Sequence, residues 1–160
     1  MTISENPKIS FYLMVLTYAF GAAGIAIGFS TVSDDPPSLS AAALLGAGVP
    51  GVLSWLRHSV FNRSDAIRMG WDLGRRNPFQ IEVGLANLAW GLLAILAVVL
   101  DWGIVAEGAA ILVFGLYLAL TSVMVAFSPA GDRGHRPGPT IAMALAGIFL
   151  AILGVQGITA

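Results

Sequence analysis

The sequence of 160 residues contains no cysteine and few charged residues. Without a thiol, disulfides, thiolate nucleophiles and thiolate metal ligands are excluded. Charged residues make up 11% of the chain and hydrophobic residues 57%, whereas soluble domains carry about 25% charged residues. The net charge of −1 provides no electrostatic footprint for nucleic acid, so we expect no nucleic-acid partner.

Motifs for catalysis and metal binding are also missing. The sequence has no Gly-rich phosphate loop, no His-Glu-x-x-His pair and no nucleophile elbow. His58 and His135, with Glu82, are the candidate metal ligands, but nothing in their spacing fixes a site. We therefore predict a protein that is not an enzyme, with no catalytic residue, no metal and no cofactor.

What the sequence does contain is long apolar runs. A run of about 20 residues is long enough to cross the roughly 30 Å hydrocarbon core of a bilayer as a helix. The first run is also longer than the apolar region of a signal peptide, which is about 7–15 residues, so we expect an uncleaved anchor. The pattern predicts an all-α, polytopic transmembrane helix bundle forming a single domain, residues 1–160, with spans at about 9–30, 40–56, 79–100, 108–127 and 140–158.

The second of these runs is short and contains Pro50, which is expected to kink it. Taken alone, it could be a re-entrant or an interfacial segment. The distribution of charge favours a crossing, because basic loops stay on the cytoplasmic side of a membrane. Only with five spans do all basic residues share one side, while Asp34, Asp35, Asp101 and Glu107 fall in the other loops.

We therefore predict a multi-pass protein of the bacterial cytoplasmic membrane, with the N-terminus in the cytoplasm and the C-terminus outside. On this topology Lys8, Arg133 and Arg136 are cytoplasmic. So is a basic loop between the second and third spans, which carries Arg57, Arg63, Arg68, Arg75 and Arg76.

The basic loop has its own pattern. Ser64 is a candidate helix cap, and Ile67 and Trp71 would share one face. We predict an interfacial cytoplasmic helix at about 64–74, with Trp71 at headgroup depth. Clustered arginines also favour anionic lipid headgroups as a contact.

Polar residues at the start of the third span are the candidate functional cluster: Gln80, Glu82 and Asn87. At 3.6 residues per turn, Gln80 and Asn87 share a face with Gly84 and Gly91, whereas Glu82 projects roughly 140° from Asn87. Glu82 remains open to three interpretations: a proton or cation site, a substrate contact, or a structural anchor to cytoplasmic arginines. Its shallow depth favours the structural ion pair.

Small residues at helical spacing predict close helix packing. The candidates are Gly24, Gly28, Gly84, Gly91, Gly147 and Gly154. We favour contacts within this chain over contacts with a second copy or a partner.

One block of the sequence resembles a family of small bacterial integral membrane proteins of unknown function. The matching residues are Pro78, Phe79, Gln80, Glu82, Gly84, Ala86, Asn87 and Leu88, and the resemblance extends over roughly residues 45–145. The chain departs from the family near His58, where Leu56 and Arg57 precede the histidine in place of a Gly-His pair. The resemblance implies a membrane fold and no known reaction.

The leading functional prediction is a non-enzymatic accessory or stabilising subunit of a larger cell-envelope membrane complex, of a transport or lipid-handling type. Its expected partners are the lipid bilayer and other membrane subunits. The alternative is a small oligomeric transporter or channel that uses the intramembrane carboxylate Glu82. A lipid-modifying enzyme is the weakest reading, because it would need His58, Arg75 and Glu82 to converge.

Overall fold

The computed structural model describes residues 5–127 and 137–160, and all of their regular structure is helical, which confirms the all-α prediction. The predicted loop with Arg133, His135 and Arg136 lies outside the described residues. The α-helices are α1 (Pro7–Thr31), α2 (Ser40–Ala42), α3 (Val49–Trp55), α4 (Asn62–Met69), α5 (Pro78–Val99), α6 (Ile104–Phe127) and α7 (Pro137–Thr159).

Four of these helices, α1, α5, α6 and α7, are long and apolar enough to cross a membrane. That finding confirms the prediction of membrane-type helices. Length and composition give four candidate spans in the described part of the chain, and not the five predicted from charge.

The difference lies in residues 40–60, the central segment. It is helical throughout, but two π-helical stretches, Ala43–Gly48 and Leu56–Val60, divide it into short pieces. The first stretch leads directly into α3, whose second residue is Pro50. Because proline lacks a backbone N–H, a wide π turn before it accommodates the lost hydrogen bond without ending the helix.

The central segment runs antiparallel to the helices on either side of it. Along α1, an added Cβ at Gly28 would meet Ala42, and one at Gly24 would meet Gly46. Along α5, Gly91 approaches the carbonyl oxygen of Gly48, at 2.9 Å from an added Cβ. Small residues therefore let three helices pack closely side by side.

Close packing puts the core inside the chain's own helices. Ala42, Ala43 and Ala47 of the central segment are fully buried, as are Phe114 of α6 and Leu153 of α7. The large apolar residues of the outer faces of α1, α5, α6 and α7 remain exposed, which suits contact with lipid.

Helices α6 and α7 form an antiparallel pair that packs closely at glycine residues. An added Cβ at Gly115 would lie 2.8 Å from the carbonyl oxygen of Gly147, and one at Gly154 would lie 2.7 Å from that of Gly108. The sixth candidate packing residue, Gly84, faces Ser59. The structure thus places all six candidate glycines against this chain's own helices.

Helix α4 begins at Asn62, two residues before the start of the predicted interfacial helix. It ends at Met69, five residues before the predicted end at residue 74. Gly70 ends the helix in the left-handed conformation (φ 84°), with the Trp71 N–H bonded to the carbonyl of Ala66. Ser64 and Asp65 on the inner side of α4 are fully buried.

A buried polar cluster around Asp65

A charged residue lies where a membrane bundle is normally apolar: Asp65 is only 1% exposed. It sits among polar side chains from α1, the second π-helical stretch, α4 and α5. We call this group the Asp65 cluster; its members are Ser10, Arg57, His58, Asp65, Arg68 and Gln80.

The first turns of α1 and α5 each contribute one side chain that contacts the Asp65 carboxylate. The Asn6 side chain caps α1 by accepting a hydrogen bond from the Lys8 N–H, and Ser10 lies in the first turn. Asn77 caps α5 in the same way, through the Phe79 N–H, and places Gln80 in the first turn.

One carboxylate oxygen of Asp65 closes a ring of three groups. The Ser10 hydroxyl donates to Oδ1 at 2.5 Å, and Arg68 Nη2 donates to the same oxygen at 2.8 Å. Arg68 Nε in turn donates to the Ser10 hydroxyl at 2.9 Å. Each donor is thus held by two contacts, which fixes α1 against α4.

The other oxygen, Oδ2, accepts a hydrogen bond from Gln80 Nε2 at 3.0 Å and lies 2.9 Å from His58 Nδ1. The His58 ring also contacts Arg57 Nη2 through Nε2, at 2.7 Å. A guanidinium only donates, so Nε2 must be the acceptor and the ring proton belongs on Nδ1, which is close to Asp65 but has no aligned acceptor among the described residues. His58 is therefore neutral in this arrangement.

Charge in the cluster is unbalanced. Arg57 and Arg68 are cationic and Asp65 is the one carboxylate, so with His58 neutral the cluster carries a surplus positive charge. Arg57 Nε is 3.9 Å from Asp65, and it has no aligned hydrogen-bond acceptor among the described residues.

The electrostatics follow from these contacts. Burial by itself would raise the pKa of Asp65, but the contact with His58 and the charge of Arg57 outweigh it and hold that pKa well below its usual range. Burial, and after it the charge of Arg57, lowers the pKa of His58 despite the opposing influence of Asp65. The cluster thus favours an ionised Asp65 and a neutral His58.

Next to the cluster, Ser64 inserts its hydroxyl into the first turn of α1. It accepts a hydrogen bond from the Ser10 N–H at 3.1 Å and donates one to the Asn6 carbonyl at 2.6 Å. These two backbone groups would otherwise pair with each other along the helix. A side chain from α4 therefore completes the start of α1.

The predicted trio in α5 is divided between two faces of the helix. Gln80 joins the Asp65 cluster. Asn87 is buried and donates to the Val83 carbonyl at 2.7 Å and to the Tyr117 hydroxyl at 3.3 Å. Glu82 is exposed, and it forms no ion pair with an arginine in the described part of the chain.

The five arginines of the basic loop also separate into groups. Arg57 and Arg68 belong to the Asp65 cluster, and Arg63 bridges Glu5 and Asp72. Arg76 donates to the Ser59 carbonyl at 2.9 Å but is exposed, as is Arg75. Three of the five are thus engaged in ion pairs within the protein.

Sequence reasoning missed two buried carboxylates. Asp65 reads as one of several polar positions on a surface helix, and its only local signal is Arg68 at i+3. Glu107, expected in an external loop, is buried in the first turn of α6 and accepts a hydrogen bond from Ser40 at 2.7 Å.

The described residues contain no group of three or more His, Asp or Glu side chains that could hold a metal ion. Nor do His58, Arg75 and Glu82 share a contact among these residues, since His58 turns inward to Asp65 while the other two are exposed. The chemistry that the Asp65 cluster offers is ion pairing and hydrogen bonding between helices.

Comparison with known proteins gives one match. The model of DUF6790, described as a family of unknown function, matches residues 9–159. No curated protein and no solved structure matches the chain.

Proposed function

The chain belongs to the DUF6790 family, from which no activity follows, and we propose that it is a non-enzymatic accessory or stabilising subunit of a larger cell-envelope membrane complex. The observation that carries this proposal is how the polar residues are used. The polar side chains of the Asp65 cluster bind one another, and the glycine faces contact this chain's own helices. The outer apolar wall is therefore the surface on which we place the accessory function.

Helix α1 is the least buried of the four long apolar helices. In the most apolar 18-residue stretch of α1, only 11% of the residues are buried. The corresponding share is 28% in α5, α6 and α7. The exposed face of α1 carries large aromatic residues, including Phe11 and Tyr12. Aromatic side chains dominate the energetics of protein interfaces, so α1 is the helix on which we place the contact with another membrane subunit.

The topology that we propose has five spans, with the N-terminus in the cytoplasm of a bacterium and the C-terminus outside. Residues 40–56 provide 17 residues of helix, at the lower end of the range of about 17–25 that a membrane-spanning helix needs. Two sets of contacts support the crossing. The segment meets α1 at Gly28 and Gly24, and Ser64, which follows the segment, meets Ser10. The segment also meets α5 at Gly91, and Ser59 meets Gly84.

The test is recovery of a partner from native membranes. A photo-crosslinking residue at Tyr12, which is 61% exposed, is expected to trap a discrete larger species at native expression level. The matched control is the same residue at Leu120 of α6, which is 69% exposed. Crosslinks to lipid alone at both positions would contradict the proposal.

A second candidate function is an oligomeric transporter or channel. The observation that favours it is the exposure of Glu82, about one turn inside α5. An ionised carboxylate facing lipid is unfavourable, and a neighbouring copy would enclose it. Proton or ion flux in reconstituted vesicles tests this role, and Glu82→Gln is expected to abolish it. Unchanged flux in that variant would remove the mechanism.

A further inference from the structure

Two arginines at the junction between α4 and α5 are exposed, whereas the other three arginines of the basic loop are partly buried. The junction, residues 71–79, ends in the first turn of a helix that is apolar enough to span a membrane. Arg75 and Arg76 lie four and three residues before Phe79. They are therefore close to the level at which α5 enters the bilayer.

Large apolar side chains flank the two arginines on both sides. Trp71 is 53% exposed, Leu73 74% and Phe79 79%. In a water-facing loop such exposure is unfavourable. At the boundary between headgroups and acyl chains it is favourable, because aromatic and aliphatic groups bury there while arginines reach the phosphates.

Nearby acidic residues leave the positive charge available. Asp72 is paired with Arg63, at 3.1 Å. Arg76 uses one of its N–H groups to bind the Ser59 carbonyl, which holds the guanidinium in place, and a guanidinium has five such donors. Glu82 is the exposed carboxylate that follows, and it lies deeper along α5 than the arginines.

We propose that the junction binds the phosphate of an anionic phospholipid, with Arg75 and Arg76 as donors and with Trp71, Leu73 and Phe79 against its glycerol and upper acyl region. Arginine suits this role because its planar fork of donors matches a phosphate group. The site does not depend on the accessory role, since it needs only a membrane and no partner protein.

The experiment uses the full chain in mild detergent, with phosphatidylglycerol or phosphatidylcholine of the same acyl chains added as the probe. Native mass spectrometry measures the apparent Kd for each lipid. Wild type is expected to bind phosphatidylglycerol more tightly. Arg75→Gln is expected to weaken that binding about five-fold, because one basic residue near a membrane surface contributes about 1 kcal/mol.

Lys8→Gln is the matched control, since Lys8 is another exposed cation near the same end of the bundle, two residues from Ser10. It is expected to leave the lipid preference unchanged. Equal binding of the two lipids by wild type would overturn the proposal. So would a loss in Lys8→Gln as large as that in Arg75→Gln.

Inorganic phosphate distinguishes a lipid site from a simple anion site. It has no acyl chain for Trp71 or Leu73 to contact, so it is expected not to displace phosphatidylglycerol at equal concentration. Full displacement would show that the arginines recognise free phosphate, and the lipid proposal would fail.

Discussion

Asp65 joins α1, α4 and α5, because its carboxylate contacts Ser10, Arg68 and Gln80. Asp65→Asn keeps the shape but removes the negative charge, which leaves Arg57 and Arg68 buried without a counter-ion. We expect it to lower the free energy of unfolding by roughly 3 kcal/mol. Reversible unfolding in mixed micelles measures this loss.

Asp72→Asn is the control for that variant, because it is the same substitution at a carboxylate that pairs with an arginine of α4. Asp72 pairs with Arg63 in a more exposed position. Its loss is expected to change stability much less, since solvent screens exposed ion pairs. Equal losses for the two variants would mean that burial of Asp65 has no special energetic role.

His58 makes stability depend on pH. Its pKa in the folded state is lowered from the usual 6.5, so below that pH the unfolded chain takes up a proton that the folded protein refuses. Stability is therefore expected to fall as pH drops below about 6.5, by up to about 1.4 kcal/mol per pH unit. Thermal unfolding between pH 8 and pH 5 measures the slope.

In His58→Gln this part of the pH dependence is expected to disappear. His135→Gln, which changes the other histidine of the chain, measures how much of the slope has another origin. The lowered pKa of Asp65 acts in the same direction only below its usual 3.8. A slope that persists in full in His58→Gln would contradict the assignment of a neutral, buried ring.

Residue-scale prediction from sequence depends on periodicity. The 3.6-residue repeat places Gln80, Gly84, Asn87 and Gly91 on one face, and all four are buried in the structure. It carries no information about a partner 55 positions away, so the bond between Ser10 and Asp65 could not be predicted. The predicted functional cluster therefore included Glu82, which is exposed, and did not include Asp65.

The pair of helices α6 and α7 illustrates what small residues do for an element. In Gly147→Ala the added Cβ would lie 2.5 Å from the Ala119 nitrogen and 2.8 Å from the Gly115 oxygen. Backbone atoms cannot move aside as a flexible side chain does, so the helices must separate. We expect a loss of about 1–3 kcal/mol in the free energy of unfolding.

Gly21→Ala in α1 is the matched control, because nothing lies within 4 Å of the added Cβ. It is expected to leave stability unchanged or to raise it slightly, since alanine favours helix more than glycine does. If both substitutions have the same effect, helix propensity and not close packing governs the glycines.

Element boundaries followed from the sequence where a local signal existed. Proline and asparagine mark the start of α5, at Pro78 and Asn77, within one residue of the predicted span. The π-helical stretches of the central segment could not be predicted, because an apolar run does not show whether its turns are α or π. The end of α4 was predicted too late in the chain, because the apolar pair Ile67 and Trp71 favours a longer helix, whereas Gly70 ends it in the left-handed conformation.

At the scale of the whole molecule, the number of crossings decides where the two ends lie. A cysteine-free chain suits this test, because each introduced cysteine is the only thiol. In spheroplasts, a membrane-impermeant maleimide is expected to label Ala160→Cys directly and Thr2→Cys only after lysis. Labelling of both from the same side would reduce the crossings to an even number and reject the five-span topology.

Composition and run length predicted a helical membrane protein, because 57% of the residues are hydrophobic and runs of about 20 suit helices that cross a bilayer. The function was not predictable in the same way, since no chemical motif accompanies those runs. The structure adds where the polar residues meet, and the role of the protein in a complex stays a prediction.

The insertion of Ser64 into the first turn of α1 also constrains the order in which the protein matures during synthesis. When the first helix leaves the ribosome, the partners of Ser10 have not yet been translated. Until translation passes Arg68, water or lipid headgroups must therefore form the hydrogen bonds of the N-terminal turn. A nascent chain arrested before that point is expected to expose its amino-terminal turn to proteases, and a chain arrested after α5 to protect it.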